Sequence, residues 1–128
     1  MRLSVVTALV CAVLLFGAET LASGPVYGVQ SCTKPRIRPT LIILTCGDAG
    51  SIMQDIEWRR WGGSIAVGTG EYSEKTCVPD CATGGRRFHH ATVWLGDIGR
   101  CSGQGSKRFY RQAKVSGVRF SFTRQCPV

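Results

Sequence analysis

Hydrophobic and polar residues alternate with a period of two along several stretches of the chain, which is typical of half-buried β-strands. Residues 88–95 show this alternation, with Ala91, Val93 and Leu95 on one face. Residues 40–46 form instead a short apolar run rich in β-branched residues, which predicts a strand buried on both faces. The pattern therefore favours strands over helices.

Residues 52–61 allow two interpretations. As a strand, they place Ile56 and Trp58 together on one face. As a helix, they would begin at the capping-box pattern that Ser51 and Gln54 form. We favour the strand, because β-rich segments lie on both sides of it.

The C-terminal part of the chain predicts a β-hairpin, with strands at residues 107–115 and 118–124 and Ser116-Gly117 as a two-residue loop. In that register Lys114 lies directly opposite Arg119. One face gathers apolar residues for the core: Phe109, Ala113, Val115, Val118, Phe120 and Phe122. The other face carries the residues that we predict to bind a ligand: Arg108, Tyr110, Lys114 and Arg119.

Taken together, these segments predict an all-β fold, a small antiparallel sandwich or barrel of about six strands stapled by disulfides. Residues 39–128 are expected to form a single β domain. Residues 23–38, which are punctuated by glycine and proline, are expected to be an extended lead-in to it.

The first 22 residues have the pattern of a secretory signal peptide. A short positive start is followed by an uncharged apolar run that is too short for a membrane span. Small residues at positions 20 and 22 place the cut before Ser23. A retained N-terminal anchor is the alternative. We expect a secreted or cell-envelope protein whose mature chain has no transmembrane span.

Six cysteines remain after that cut, an even number that predicts three disulfides in an oxidising compartment. Six cysteines allow many pairings, and the sequence does not choose among them. A bridge between Cys32 and Cys126 is our working hypothesis, because it would tie the two ends of the domain together. The disulfide cysteines are Cys32, Cys46, Cys77, Cys81, Cys101 and Cys126.

Several short motifs, Cys46-Gly47-Asp48, Ile56-Glu57-Trp58, Gly68-Thr69-Gly70 and Cys77-Val78-Pro79-Asp80-Cys81-Ala82, resemble those of small secreted actinobacterial proteins, mycobacterial ones included, that have no assigned function. The resemblance covers roughly residues 38–115. It implies export and one compact domain, and it brings no active site.

The charge of the chain is strongly asymmetric. The formal net charge is +8, and residues 86–128 carry nine basic residues against one acidic residue, Asp97. Such a concentration of positive charge favours an anionic partner. We therefore predict a binding module whose C-terminal hairpin meets an anionic polymer or surface, because dense polyanions release counterions when cations bind them.

An enzyme is the first alternative, because small basic secreted proteins include ribonucleases. Glu57, His89 or His90, and Arg86 or Arg111 supply the residue types for acid, base and phosphate clamp. Nothing in their spacing brings them together, so we assign no catalytic residue and expect no cofactor.

Three further constellations have a structural as well as a functional interpretation. Cys77, Cys81 and the adjacent histidines have zinc-ligand chemistry, but neighbouring residues of a strand point to opposite faces, and we predict no metal site. Trp61 and Trp94 are candidates for a platform that binds a sugar or peptide, whereas Trp58 is predicted to fill core. A disulfide-braced loop at residues 73–87 suits a protein–protein or inhibitor module.

Overall fold

The computed structural model describes residues 24–118 and 122–128, and within these ranges the chain forms strands, turns and loops without a helix. The predicted signal peptide lies outside the described residues. No helix in the described part of the chain is long and apolar enough to cross a membrane. The eight strands are β1 (Val26–Gln30), β2 (Lys34–Arg36), β3 (Ile42–Ile43), β4 (Ser51–Arg60), β5 (Ala66–Lys75), β6 (Arg86–Arg100), β7 (Arg108–Val115) and β8 (Thr123–Arg124).

All eight strands belong to one sheet in the order β2-β1-β7-β6-β5-β4-β3, with β8 added to β7. The pairings are antiparallel except for β1 with β7, which is parallel. The sheet curls into a half-barrel, so that β1 and β3, from opposite ends of the order, contact each other. The predicted all-β, disulfide-stapled class is confirmed. The segment expected as a lead-in contributes β1 and β2.

The inner face of the curled sheet holds the core. On β6 the predicted alternation is confirmed: Ala91, Val93 and Leu95 are buried, whereas Trp94 faces outward. Strand β5 contributes Ala66 and the fully buried Tyr72, and β7 contributes Ala113 and Val115. The outer face of β6 and β7 is therefore free to carry polar and aromatic groups.

Residues 52–61 are a strand, as we favoured, but its faces are shifted by a bulge at Asp55, whose φ is 51°. The buried positions are consequently Met53 and then Ile56, three residues apart. The bulge pushes the β4 backbone against β5. A Cβ atom on Gly70 would lie 2.5 Å from the Gln54 carbonyl oxygen, so that only glycine fits opposite the bulge.

The predicted C-terminal hairpin has a different register. Ala113 pairs with Thr123, three positions beyond the partner that a two-residue loop would give it. Before this pairing, Ser116 is held against β6 by two hydrogen bonds to Thr92. Its N–H donates to the Thr92 carbonyl, and its Oγ accepts the Thr92 N–H, both at 2.9 Å. The predicted opposition of Lys114 and Arg119 involves a residue that lies outside the described part of the chain.

The three predicted disulfides are present, but the proposed bridge between Cys32 and Cys126 is wrong. Cys32 is bonded to Cys46, Cys77 to Cys81, and Cys101 to Cys126. The two ends of the domain do meet, because the Val128 N–H donates to the Cys32 carbonyl at 3.0 Å. The Cys32–Cys46 bond joins the turn after β1 to the segment after β3, and so fastens the two ends of the sheet to each other.

Candidate ligand-binding site

The structure removes Tyr110 from the predicted binding face, because its side chain is fully buried. Its hydroxyl donates to the Gly63 carbonyl at 2.6 Å and accepts the Gly62 N–H at 2.9 Å. Trp61 packs edge-on against the Tyr110 ring at 5.2 Å and donates its indole N–H to the Val26 carbonyl. Both aromatic residues therefore hold the loop after β4 against the core, and neither is free to meet a polymer.

Arg108 lies at the other end of β7 from Lys114, about 20 Å away along the strand. It is half-buried, sits opposite Arg100 and donates to the Gly24 carbonyl at 3.3 Å. The predicted site therefore divides into two separate places. Arg119 falls outside the described residues.

Lys114 is exposed on β7. It pairs directly with Trp94 of β6, so that the two side chains leave the sheet side by side on its outer face. On its other side the β7–β8 register continues to Phe122, and the Lys114 Nζ is 6.0 Å from the centroid of that ring. One cation thus stands between two aromatic rings, about 10 Å apart by the usual strand spacing.

On the other side of Trp94, this line of residues continues across β5 to β4. Trp94 pairs with Val67 of β5, and Val67 pairs with Arg60 of β4. We call this line the outer row; it runs Arg60, Val67, Trp94, Lys114 and Phe122 across four strands and the segment before β8. A third cation, Arg124, lies beside the row, paired with Gln112.

A groove with a cavity volume of about 300 Å³ lies over the part of the outer row that Trp94, Lys114 and Phe122 form. Trp94 is 36% exposed, Ile65 47% and Phe122 59%, so that a ligand reaches all three side chains. Large apolar side chains gathered at a concave surface are typical of binding sites. The lining residues are Ile65, Trp94, Leu95, Gly96, Gln112, Lys114 and Phe122.

The groove is continuous with a second depression of about 240 Å³, since Gln112 and Phe122 line both. Arg111 and Arg124 stand at this second depression. Arg111 is bound to Asp97, with 3.0 Å between its Nη2 and the carboxylate. Arg124 therefore supplies the positive charge that remains at this end of the groove.

The sequence indicates Lys114 and Trp94 as candidates but not the residues that lie beside them in the structure. Phe122 was assigned to the core side of the hairpin, and it is exposed because the register differs from the predicted one. Arg60 and Lys114 lie far apart in the chain, and only the pairing of four strands brings them into one row. No signal within a single segment indicates that alignment.

The residue types of the ribonuclease alternative are not gathered into one place. His89 faces the core side, where its ring packs on Tyr72 at 5.0 Å, whereas Glu57 is exposed on β4. The Arg86 guanidinium is held by the Ser73 hydroxyl and the Ala49 carbonyl. No acid, base and phosphate clamp converge among these residues.

Cys77 and Cys81 form a disulfide with each other, so that neither provides a thiolate for a zinc ion. The two histidines point to opposite faces of β6, as the alternation predicted. Among the residues that the structure describes, no three histidine, cysteine or carboxylate side chains are placed to hold a metal ion.

The loop between β5 and β6 is braced within itself. Asp80 accepts the Ala82 and Thr83 N–H groups and the Thr83 hydroxyl, and these bonds hold the pKa of its carboxyl below the ordinary value. Val78 stands at the tip, 73% exposed. The loop is separate from the groove and carries no charge pattern that favours a partner.

Comparisons with protein-family models, curated proteins and solved structures find nothing that matches this chain. The function must therefore be argued from the groove and the charges around it.

Proposed function

We propose that this chain is an exported, disulfide-stapled binding domain that holds an anionic polymer along the outer row and catalyses no reaction. The observation that supports the proposal best is the position of Lys114 between Trp94 and Phe122 at an open groove. A cation beside aromatic rings binds a polymer that alternates negative charge with flat or apolar groups.

The charges around the groove support an anionic ligand. Within residues 24–118 and 122–128, the ion pairs are Arg87 with Glu74 and Arg111 with Asp97. Lys114, Arg60 and Arg124 are thus outside the ion pairs of the described residues, and their charges are available to a ligand. A polyanion that contacts them releases its counterions, which favours binding at low ionic strength.

Three disulfides support export, because such bonds form and persist in oxidising compartments. The predicted signal peptide points the same way. A domain fastened by disulfides also presents the outer row with little ordering cost on binding.

The test is binding of the purified, oxidised protein to heparin, polyphosphate and oligothymidylate at low and high salt. We expect affinity that falls steeply with salt, and a large loss of affinity in the double variant Lys114→Gln with Arg60→Gln. The matched control is Lys34→Gln with Arg36→Gln, which removes two exposed charges from β2 at the far edge of the sheet. No binding at low salt, or equal losses in both double variants, would contradict the proposal.

A further inference from the structure

We infer that the anionic polymer is a single-stranded nucleic acid, and that one base stacks on Trp94 in the groove while the backbone phosphates meet Lys114 and Arg124. This inference rests on the proposed function and names the ligand class of the same site. It follows from the order of groups along the outer row, the chemistry of the groove lining and the shape of the surface.

The order of groups matches a single strand. Trp94 pairs with Lys114, and the Lys114 Nζ lies near the Phe122 ring, so that the sequence across the sheet is aromatic, cation, aromatic. A single-stranded nucleic acid presents bases and phosphates in alternation. Aromatic side chains stack on the bases, and cations between them meet the phosphates.

The groove lining favours a base over a sugar. The polar groups among the lining side chains are the Gln112 amide, the Lys114 ammonium and the indole N–H of Trp94. The other side chains of the lining are hydrocarbon. Hydroxyl groups of an acidic polysaccharide would lie against Ile65 and Phe122 without hydrogen-bond partners, which is costly. A base has two apolar faces and a polar edge. The Gln112 amide can serve that edge, because it both donates and accepts hydrogen bonds.

The open, shallow surface favours single strands over a duplex. The faces of paired bases are stacked inside a duplex and are out of reach of Trp94 and Phe122. A duplex would therefore contact the cations of the outer row alone. We expect a duplex to bind more weakly than a single strand of the same sequence. Its affinity should fall with salt and should not change when Trp94 is replaced.

The experiment compares a fluorescein-labelled oligothymidylate with an abasic oligomer of the same length and charge, using anisotropy. We expect the abasic oligomer to bind more weakly by roughly tenfold to a hundredfold, the range that loss of base stacking gives. Trp94→Ala should remove that difference, and Trp94→Phe should restore most of it. Phe88→Ala is the control, because Phe88 is an exposed aromatic residue of the same strand outside the groove lining.

Each outcome separates the inference from the proposal on which it rests. Equal affinity for the two oligomers, or heparin binding without oligothymidylate binding, would overturn the nucleic-acid inference and leave a polyanion-binding domain. Absence of binding to every polyanion at low salt would overturn both. Unfolding curves of the Trp94 variants show whether each is folded, and Trp94→Phe keeps the test decisive if Trp94→Ala is not.

Discussion

The Lys114 Nζ lies 6.0 Å from the centroid of the Phe122 ring, on the side of β7 opposite Trp94. At this distance a cation over an aromatic face gains about 0.5–1 kcal/mol when the site is exposed. The contact holds the Lys114 side chain along the floor of the groove instead of leaving it free in solvent. A phosphate or sulfate that enters the groove meets a charge that is already placed.

Replacing this single charge should change the salt dependence of binding. We expect Lys114→Gln to weaken polyanion binding and to lower the slope of log affinity against log salt by about one, since one phosphate contact is lost. Titrations at several salt concentrations measure the slope. Lys34→Gln removes an exposed charge from β2 and should leave the slope unchanged; an equal fall in that variant would show that only net charge matters.

Removing the Tyr110 hydroxyl should affect stability and leave binding alone. Tyr110→Phe deletes the bonds to Gly62 and Gly63 and leaves their backbone groups unpaired, so that we expect a loss of about 1–3 kcal/mol in the free energy of unfolding. Urea unfolding measures the loss, and polyanion affinity serves as the second readout. A fall in polyanion affinity with unchanged stability would contradict this and show that Tyr110 takes part in binding.

Alkaline pH should destabilise the protein through its buried tyrosines. Burial raises the pKa of Tyr72 and of Tyr110 above the ordinary value of 10.0, and for Tyr72 the nearby Glu74 raises it further. Above about pH 10 the unfolded chain loses these protons and the folded protein keeps them, so that the stability they contribute falls as pH rises through the folded pKa. Unfolding from pH 8 to about pH 11 tests this, and Tyr110→Phe should reduce the decline.

A methyl group at Gly70 should be far more damaging than one at Gly96. The Cβ of Gly70→Ala would meet the backbone of the β4 bulge, with 2.5 Å to the Gln54 oxygen, and we expect a loss of about 1–3 kcal/mol. Gly96→Ala places its Cβ in open space on β6 and should change stability little. Denaturant midpoints of the two variants make the comparison, and equal effects would show that the bulge adapts.

The sequence predicts each element whose pattern is local. The alternation in residues 88–95 places Val93 inside and Trp94 outside without any knowledge of neighbouring strands. The bulge at Asp55 is different, because a left-handed residue in a strand leaves no mark in the hydrophobic pattern beyond a three-residue step from Met53 to Ile56. The capping-box pattern of Ser51 and Gln54, which left a helix open for this segment, does not indicate the bulge either.

The groove could not be predicted from the sequence, because it depends on the register in which neighbouring strands pair. The sequence of residues 107–124 satisfies a two-residue hairpin loop, but Ala113 pairs with Thr123. In this register Phe122 is exposed and belongs to the outer row, whereas the sequence predicted it for the core. Disulfide pairing was equally open, since Cys32 and Cys46 are brought together by the curl of the whole sheet.

The bond between Cys32 and Cys46 also bears on behaviour at high concentration. A sheet that ends in long, free edge strands invites other molecules to add strands to it, and this is a route to aggregation. Here the terminal strands β2 and β3 have three and two residues, and the disulfide draws the flanking segments together. The sheet thus offers little template for self-association at these two ends.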